Sequence, residues 1–412
     1  MQIVILGRQP KLSLAELESL FGAEKIIEIS DYAALVTSED PLPQARLGGT
    51  MKCARLLSRL ENTDLSGAFS YLQTNTPEHL QYLPDGKLQF GVSIYGFKAQ
   101  KNWLLKQMLE LKKIIKKQGR SVRIIENKSE ALESAQVLYN KLTGPLGWEL
   151  LLIKDRDDVI LAQTYAVQDI DAYAARDFER PKRDAFVGML PPKLAQIMIN
   201  LAASRIVDTN KQITDGAASE ACILDPFCGT GVVLQEAILM GFATYGSDIS
   251  EKMVEYSTEN IKWLQDQILR QAQDGPLQWR IETGDAINHH WDFSKIHSLN
   301  PQISVVCETY LGTPLASLPE THRLDTIMDE ANTIAEGFLQ NISSQLKKGT
   351  RFCVAFPAWY LGNSEFKHLK VLDHLADLGY NRLDLVHADK KDLIYHRENQ
   401  VVARELTILE KK

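Results

Sequence analysis

The chain has 412 residues, of which 44% are hydrophobic and 24% charged, the balance of an ordinary globular protein with two or three domains. Its formal net charge of −7 argues against a protein that coats nucleic acid without specificity, although local basic patches remain compatible with it. No apolar run approaches about 18 residues, so no membrane span is predicted. The five cysteines include no CxxC pair, which indicates neither a zinc site nor a disulfide framework and favours a reducing cytoplasm.

The first 60 residues are predicted to form a small α/β unit. Met1–Gly7 is predicted as a strand rather than a signal peptide, because its apolar run is short and lacks a basic flank. Ser13, with Glu16 three residues later, is predicted to cap a helix that ends at Gly22. The other predicted elements are strands at Ile26–Ile29 and Ala33–Thr37 and a helix around Lys52–Leu60.

Residues 61–165 are predicted to form a second α/β unit. Its main helix, Trp103–Gln118, carries apolar residues at helical spacing and ends before Gly119. Residues 166–190 form a polar connector to the rest of the chain. The other predicted elements are strands at Gln89–Tyr95, Val122–Ile125, Trp148–Lys154 and Val159–Tyr165 and a short helix at Ser134–Lys141.

From residue 191 onwards helices and strands alternate, which predicts a doubly wound, mainly parallel sheet closed by roughly antiparallel strands. The predicted helices are Pro192–Ile206, Gly231–Met240, Glu251–Gln267, Arg323–Leu346 and Phe366–Leu378. The predicted strands are Cys222–Asp225, Thr244–Asp248, Trp279–Thr283, Ser304–Cys307, Arg351–Phe356, Arg382–Ala388 and Val401–Leu409.

The strongest local signal is the stretch from Ile223 to Gly231, ILDPFCGTG, in which a buried strand enters a glycine-rich turn and then a helix. Open α/β sheets bind ligands at the carboxyl ends of strands where the strand order reverses. Gly229 and Gly231 let the backbone approach a ligand, and the helix N-terminus offers free N–H groups to a carboxylate. Alone, such a turn could also hold a dinucleotide or simply join a strand to a helix.

Two further acids extend this signal. Asp248 ends the next strand, about 20 residues past the glycines, where a carboxylate suits a ribose diol. Asp285 follows the strand after that, where it could accept a hydrogen bond from an adenine amino group. Each acid alone could be a helix N-cap. Together with Asp225, acids after three successive strands predict one ligand site.

The DPFCGTG motif from Asp225 to Gly231 resembles the first motif of S-adenosylmethionine-dependent methyltransferases that modify exocyclic amines of nucleic-acid bases. More narrowly, the chain resembles the tRNA guanosine-10 N2-methyltransferase family, in which a THUMP module precedes a Rossmann-like class I methyltransferase domain. Arg176–Pro181 and Gly188–Ala195 are similar to that family's connector and first catalytic helix. The implied domains are an N-terminal unit at 1–60, a THUMP-like RNA-binding domain at 61–165, a linker at 166–190 and the methyltransferase domain at 191–412.

The resemblance implies S-adenosyl-L-methionine as cofactor and assigns residues to it. Asp225, Gly229 and Gly231 would hold its methionine end, and the segment Met189–Pro191 would flank its carboxylate. Asp248 would bind the ribose and Asp285 the adenine. Their neighbours implied in the same site are Phe227, Ile249 and Ala286.

The fourth motif departs from the family's pattern, which is an acid or amide, two prolines and an aromatic residue. Here Glu308 takes the acid's place, and Thr309 and Tyr310 replace the prolines. A base amine is a poor nucleophile, so a positioned acceptor for its protons is the catalysis required. The extra methylene of glutamate moves the carboxylate by about 1.5 Å, which can cost on the order of a hundredfold in rate. Glu308 and Tyr310 are therefore candidate catalytic residues, the alternatives being a capping or packing glutamate and a tyrosine that packs in the core.

A basic segment lies in the second predicted unit. Between Lys98 and Arg123, nine basic residues accompany one acid, Glu110, which gives a local charge of +8. Contact with RNA phosphates explains such a patch, and a solvated lysine face is the alternative. The predicted RNA-binding residues are Lys112, Lys113, Lys116 and Lys117 in the helix and Arg180 and Arg183 in the connector.

Three other features are interpreted more simply. His289 and His290 are adjacent and are predicted to be solvent-exposed loop residues rather than metal ligands. Cys228 has no local histidine to activate it, so packing is predicted. Phe356–Tyr360 either flanks the base pocket or covers the core.

The sequence thus predicts a tRNA guanine N2-methyltransferase that acts as a monomer, binds tRNA, and uses neither a metal nor a membrane. A DNA amino-methyltransferase is an alternative, which the N-terminal basic region and the lack of a long target-recognition insertion disfavour. A noncatalytic RNA-binding protein that retains the cofactor fold is another, supported by the altered fourth motif. A nicotinamide enzyme is the least favoured, because the third glycine of the dinucleotide fingerprint is missing.

Overall fold

The computed structural model describes residues 1–184, 190–203, 221–269, 278–296, 302–398 and 400–412. Its contacts divide the chain into two compact units: Met1–Leu14 with Phe21–Tyr173, and Ala15–Leu20 with Ala174–Lys412. Within the described ranges, no helix is both long enough and apolar enough to cross a membrane.

The N-terminal unit is built on a mixed sheet with the order β2-β3-β1-β4-β8-β7-β5-β6. Pairing is antiparallel except where β5 lies parallel to β6 and β7. The strands are β1 (Gln2–Leu6), β2 (Ile26–Ser30), β3 (Ala33–Val36), β4 (Thr50–Leu60), β5 (Leu88–Tyr95), β6 (Val122–Ile124), β7 (Gly147–Asp155) and β8 (Asp158–Val167). The helices are α1 (Pro10–Phe21), α2 (Leu65–His79), α3 (Lys101–Lys117) and α4 (Ser134–Tyr139), and α5 (Ile170–Ala174) follows the sheet.

The helix predicted around Lys52–Leu60 is wrong, because this segment is strand β4. It pairs with β1 on one side and with β8 on the other, so long-range pairing decided its structure. Since β8 lies beyond residue 60, the predicted units at 1–60 and 61–165 share one continuous sheet. Ser13 does not cap α1, which begins at Pro10; its hydroxyl donates to the carbonyl of Gly49 at 2.6 Å.

Helix α3 has the predicted amphipathic character. Leu104, Met108, Leu111 and Ile115 are buried at intervals of three and four residues, as expected for a helix that packs one face on a sheet. They join a core cluster with residues of α2 and strands β5 and β7. The lysines on the opposite side of α3 therefore remain at the surface.

The C-terminal unit has the sheet order β11-β10-β9-β12-β13-β17-β15, with β14 beside β13 and β16 beside β17. Its strands are β9 (Ala221–Asp225), β10 (Ala243–Asp248), β11 (Trp279–Thr283), β12 (Gln302–Glu308), β13 (Arg351–Gly362), β14 (Glu365–Lys367), β15 (Tyr380–Arg382), β16 (Ile394–Tyr395) and β17 (Val402–Lys411). Its helices include α6 (Pro192–Ala203), α7 (Val232–Leu239), α8 (Glu251–Leu269) and α9 (Thr321–Ser343).

Strands β9 to β13 pair in parallel, and β17 runs antiparallel beside β13. This is the predicted Rossmann-like, mainly parallel sheet. Helix α9 packs against one face in a cluster that includes Leu224, Val305 and Phe352. Helices α7 and α8 form a second cluster with Cys228 and residues of β11. The sheet is therefore covered on both faces, as a doubly wound fold requires.

The helix predicted at Phe366–Leu378 is also wrong. Glu365–Lys367 forms β14, which pairs antiparallel with the end of β13, and Lys370–Asp373 forms a 3-10 turn. Leu369, Val371 and Leu375 are buried in the α9 cluster, so apolar residues that fit a helical pattern instead anchor an irregular segment. Helix α6 confirms the predicted start at Pro192, and the predicted part beyond residue 203 lies outside the described residues.

Candidate active site

The loop from Asp225 to Gly231 joins β9 to α7 at the point where the strand order reverses. Strand β9 lies between β10 and β12, so the loop stands where open α/β sheets bind ligands. Gly229 and Gly231 have positive φ values of 49° and 82°, which are strained for residues with a side chain. A Cβ on Gly231 would also lie 3.0 Å from the Oγ of Ser257. Glycine is thus required at Gly231 by conformation and by space.

Helix α8 holds this loop in place through buried polar side chains. The hydroxyl of Ser257 donates to the carbonyl of Gly229 at 2.6 Å. The amide nitrogen of Asn260 donates to the carbonyl of Thr230 at 2.9 Å. Both side chains are fully buried, and sequence reasoning missed them because a serine and an asparagine on a helix carry no distinctive signal. The loop therefore has a fixed shape before any ligand binds.

The predicted acids come together at the carboxyl edge of the sheet. Asp225 is 2% exposed, and its Oδ1 accepts from the N–H of Phe227 at 3.1 Å. Asp248 accepts from the N–H groups of Gly229 and Ser250, each at 2.9 Å. Its own carbonyl accepts from the N–H of Gly284 at 2.9 Å, which ties the turn bearing Asp285 to the same edge.

The electrostatics of this edge are dominated by buried carboxylates. Burial raises the pKa of Asp225 well above its usual range, and the nearby carboxylates of Asp248 and Glu308 raise it further. Burial also raises the pKa of Asp248, although its two N–H donors oppose the rise. Because negative charge accumulates here at a cost, the edge favours a ligand that brings positive charge and hydrogen-bond donors.

The neighbouring predicted residues differ in how they meet this edge. The ring of Phe227 packs edge-to-face on Phe338, with centroids 5.1 Å apart. Ile249 is 70% exposed, so its side chain is free to contact a ligand. Ala286 is buried in the α9 cluster and offers no side-chain surface. Of the segment predicted to flank the carboxylate, Met189 lies outside the described residues.

Glu308 ends β12 close to Asp225, as the fourth-motif prediction requires. Its Oε1 accepts a hydrogen bond from the Nε of Arg404 at 2.5 Å. The side chain of Arg404, in β17, is 6% exposed, and that of Glu308 is 15% exposed. Burial raises the pKa of Glu308, and the guanidinium of Arg404 opposes the rise. Sequence reasoning missed Arg404, because a basic residue within an apolar strand identifies no partner by itself.

The residues after Glu308 explain why the proline pair is absent. The N–H and the hydroxyl of Thr309 both donate to the carbonyl of Ala355 in β13, at 3.0 and 3.3 Å. A proline at this position lacks that N–H. The backbone beyond β12 is therefore tied to β13. Tyr310 is partly buried against the α9 cluster, which accounts for the rise in its pKa on burial and leaves part of its ring exposed.

Three simpler predictions have mixed outcomes. Cys228 is 4% exposed, and burial with nearby acids raises its pKa well above the usual range, which confirms packing rather than nucleophilic reactivity. His289 is not a free loop residue as predicted, because its Nε2 lies 2.9 Å from the carboxylate of Glu282. Strand β13 does not end at Phe356 but runs on, and Trp359 is fully buried, so it covers the core.

The predicted RNA-binding residues fall into two environments. On α3, Lys113, Lys116 and Lys117 are exposed and Lys112 is partly exposed, with Lys113 2.8 Å from Glu110. In the connector, the other two predicted residues differ from each other. Arg183 is exposed and lies over the ring of Phe178, 5.9 Å from its centroid. Arg180 is 3% exposed and is not a surface residue.

A cleft of about 830 Å³ lies at the N-terminal end of α3. Its lining combines the rings of Phe97 and Trp103 with three cations and three acids: Lys98, Lys154, Arg156, Asp64, Asp157 and Asp158. The rings offer a stacking surface of the kind that binds unpaired bases, while the charges of the lining balance. Lys154 lies near the end of β7 and Arg156 in the turn to β8, and no basic run in the sequence indicates either residue.

The chain matches no protein-family model. Over 119 residues, 28% of its length, it is 39% identical to a tRNA (guanine(10)-N2)-dimethyltransferase of Methanothermobacter thermautotrophicus. Over 111 residues it is 41% identical to the protein of the same name from Pyrococcus abyssi. The chain is similar to the tRNA (guanine(10)-N2)-dimethyltransferases. The matches span 24 to 30% of the length of these curated relatives.

Solved structures align over nearly the whole chain at low identity. TrmN from Thermus thermophilus covers 100% of this chain and 99% of its own, at 15% identity and a TM-score of 0.48. A possible methylase from Clostridium difficile covers 98% of this chain and 97% of its own, at 14% identity and a TM-score of 0.45.

Proposed function

We propose that this protein is an S-adenosyl-L-methionine-dependent tRNA methyltransferase that modifies the N2 amine of a guanosine. The observation that carries the proposal is the shaped loop from Asp225 to Gly231 at the sheet's switch point, with Asp248 and Glu308 beside it. The local similarity to tRNA (guanine(10)-N2)-dimethyltransferases supports tRNA and guanine as the substrate. The five cysteines are free and buried, which suits a reducing cytoplasm.

The residues at this edge fit the proposed cofactor. Among the described residues, no cation acts on the buried carboxylate of Asp225, and the cofactor's ammonium and sulfonium would supply positive charge there. Asp248 stands where a carboxylate accepts from a ribose diol, and the exposed side chain of Ile249 can cover an adenine ring. The bound cofactor supplies a methyl group on sulfonium that is open to attack by a nucleophile.

Glu308 is the proposed acceptor for the target amine. Its Oε1 is occupied by Arg404, which leaves Oε2 to accept an N–H of the guanine amine. Burial raises the pKa of Glu308, and the guanidinium of Arg404 opposes this rise and so favours the ionised acceptor. By accepting this hydrogen bond, Glu308 would orient the amine and stabilise positive charge as it develops on nitrogen.

The tether at Thr309 supports a productive position for the longer glutamate side chain. Since the backbone after Glu308 is bonded to Ala355, it follows β13 and not the path that a proline pair would impose. A shift of the backbone can compensate for the extra methylene. The exposed part of Tyr310 then offers a surface on which the base can stack.

The surface of α3 is the proposed contact for tRNA, in a domain of the THUMP type. Its exposed lysines can neutralise phosphates, and the adjacent cleft with Trp103 can take an unpaired base. A noncatalytic RNA-binding protein is the second candidate, because a glutamate already paired with Arg404 has one free oxygen fewer than an unpaired acceptor.

Methyl transfer from labelled cofactor tests the proposal directly. The full chain is incubated with unmodified tRNA and, in parallel, with duplex DNA, and the products are digested for nucleoside mass spectrometry. We expect N2-methylated guanosine from tRNA and no transfer to DNA. Transfer to an adenine or cytosine of DNA would contradict the substrate, and tRNA binding without transfer would support the noncatalytic candidate.

A further inference from the structure

Arg180 is buried with donors that have no acceptor. Its side chain is 3% exposed, and within the described ranges its Nε and Nη2 make no hydrogen bond. Burying a charged donor without a partner costs free energy. These two donors are therefore expected to meet an acceptor that the described residues do not supply.

The charge around Arg180 is also unbalanced. The neighbouring carboxylate of Glu236, in α7, already accepts from the Nε of Arg176 at 2.6 Å and from Gln196 at 2.9 Å. Around Arg180, the guanidinium groups of Arg176 and Arg183 accompany two carboxylates, Asp177 and Glu236, so positive charge is in excess. Burial lowers the pKa of Arg180 and Arg183 lowers it further, while Asp177 and Glu236 oppose the fall only in part. An added anion would restore the balance.

The position of Arg180 connects it to the cofactor loop. Two residues later, the backbone N–H of Lys182 donates to the side-chain oxygen of Asn260 at 2.9 Å. The amide nitrogen of Asn260 in turn donates to the carbonyls of Lys182 and Thr230, both at 2.9 Å. The segment that carries Arg180 therefore runs beside Thr230, two residues before the start of α7.

We propose that Arg180 binds the carboxylate of the cofactor's amino-acid portion, an inference that rests on the proposed function. Adjacent guanidinium N–H groups match the two oxygens of a carboxylate. The acids Asp225 and Asp248 would repel that carboxylate, so a cation is needed at its end of the site. An RNA phosphate presents similar oxygens but meets surface cations first, whereas Arg180 is buried.

Calorimetric titration with two ligands tests this assignment. S-adenosylhomocysteine carries the carboxylate, whereas 5′-methylthioadenosine lacks the whole amino-acid portion and serves as an internal control. For Arg180→Gln we expect affinity for S-adenosylhomocysteine to fall by about ten- to a hundredfold, the loss of a charge-assisted hydrogen-bonded pair. Affinity for 5′-methylthioadenosine should be unchanged. Arg323→Gln, at an exposed arginine of α9 in the same unit, should leave both ligands unaffected.

Each other outcome overturns the assignment. Unchanged binding of S-adenosylhomocysteine would leave Arg180 without a role in the cofactor site. An equal loss for both ligands would indicate a damaged fold, and weaker tRNA binding alone would indicate a phosphate contact. If the unmodified protein bound neither S-adenosylhomocysteine nor 5′-methylthioadenosine, the proposed function itself would fail. If the wild-type protein binds both ligands and Arg180→Gln binds them equally well, only the assignment of Arg180 fails.

Discussion

At the scale of single residues, the pair of Glu308 and Arg404 decides whether the site can promote methyl transfer. The carboxylate is buried at a strand end and keeps one oxygen free, while the guanidinium fixes the other. Glutamate in place of a shorter acid is thus not a simple extension by one methylene. It comes with a cation from β17 and with the Thr309 tether to β13, and the three features form one arrangement.

Arg404→Met should shift the pH dependence of methyl transfer. Without the guanidinium, no cation opposes the rise in pKa that burial causes at Glu308, so this pKa rises further. Because the ionised form is the acceptor, the acid limb of the kcat profile should move to higher pH, and the rate above that limb should recover in part. The measurement is kcat against pH between about 5 and 9, a range that brackets titration near neutrality.

Two companion variants make this result specific. Glu308→Gln should lower kcat by about a hundredfold, the typical cost of losing one positioned electrostatic group, and leave no acid limb to shift. Arg382→Met removes a guanidinium that pairs at 3.1 Å with Glu405, the residue after Arg404 in β17, whose side chain points to the opposite face of the sheet, and it should leave the profile unchanged. An Arg404→Met profile identical to wild type would mean that the pair has no part in the reaction.

At the scale of elements, helix α3 exposes a charged face and packs its opposite face on the N-terminal sheet. Its buried residues fix the helix on the N-terminal sheet, so its lysines are held at fixed spacing. One basic residue of the segment is not available: Arg120 donates to the carbonyls of Leu80, Leu83 and Pro84. The guanidinium thus fastens the end of α3 to the segment after α2. The remaining exposed lysines are the ones that can contact phosphates.

Reversal of four lysines to glutamate should abolish retention of tRNA: Lys112, Lys113, Lys116 and Lys117. Each reversal replaces attraction by repulsion at a phosphate, and the loss should be largest at low salt. Filter binding of tRNA measures it, with S-adenosylhomocysteine affinity expected to stay unchanged. A matched control reverses four other exposed lysines of the same unit: Lys25, Lys87, Lys128 and Lys141. Equal losses in both variants would attribute the effect to net charge, and the proposed contact on α3 would be wrong.

The elements also show which parts of this chain are readable from sequence. Helix α3 and the β9 loop were predicted because their signals are local: a helical repeat of apolar residues and glycines between a strand and a helix. Strand β4 and the segment after β14 were mispredicted because pairing with distant strands fixed them. Arg404 and Asn260 were missed for the same reason, since their partners lie on other elements and no local pattern identifies them.

At the scale of the whole molecule, the candidate site stores negative charge that the fold does not compensate. Asp225 is buried and Asp248 is partly buried, and burial raises the pKa of each. A protein optimised for stability alone would replace such groups by neutral ones. Their presence indicates that binding a cationic ligand takes precedence over stability at this edge of the sheet.

Asp225→Asn should therefore stabilise the protein and impair binding of S-adenosylhomocysteine. The pKa of Asp225 is raised in the folded state. Its favourable contribution to the free energy of unfolding is therefore complete below about pH 3.9, the usual aspartate pKa, and it is lost as pH rises through the folded-state pKa. Asparagine avoids this loss and keeps an oxygen for the N–H of Phe227. The gain in free energy of unfolding should grow with pH, by about 1.4 kcal/mol for each unit of raised pKa.

Thermal unfolding of the full chain at pH 5 and pH 8 measures this gain, with the larger increase in Tm expected at pH 8. Asp292→Asn is the matched control. The pKa of Asp292 is lowered by Ser294 and Lys295, so its ionised form stabilises the folded state and its removal should bring no gain. A lower Tm for Asp225→Asn at pH 8 would show that the carboxylate stabilises the unliganded fold. The carboxyl edge of the sheet would then not favour a cationic ligand, and the electrostatic argument for a sulfonium cofactor would be wrong.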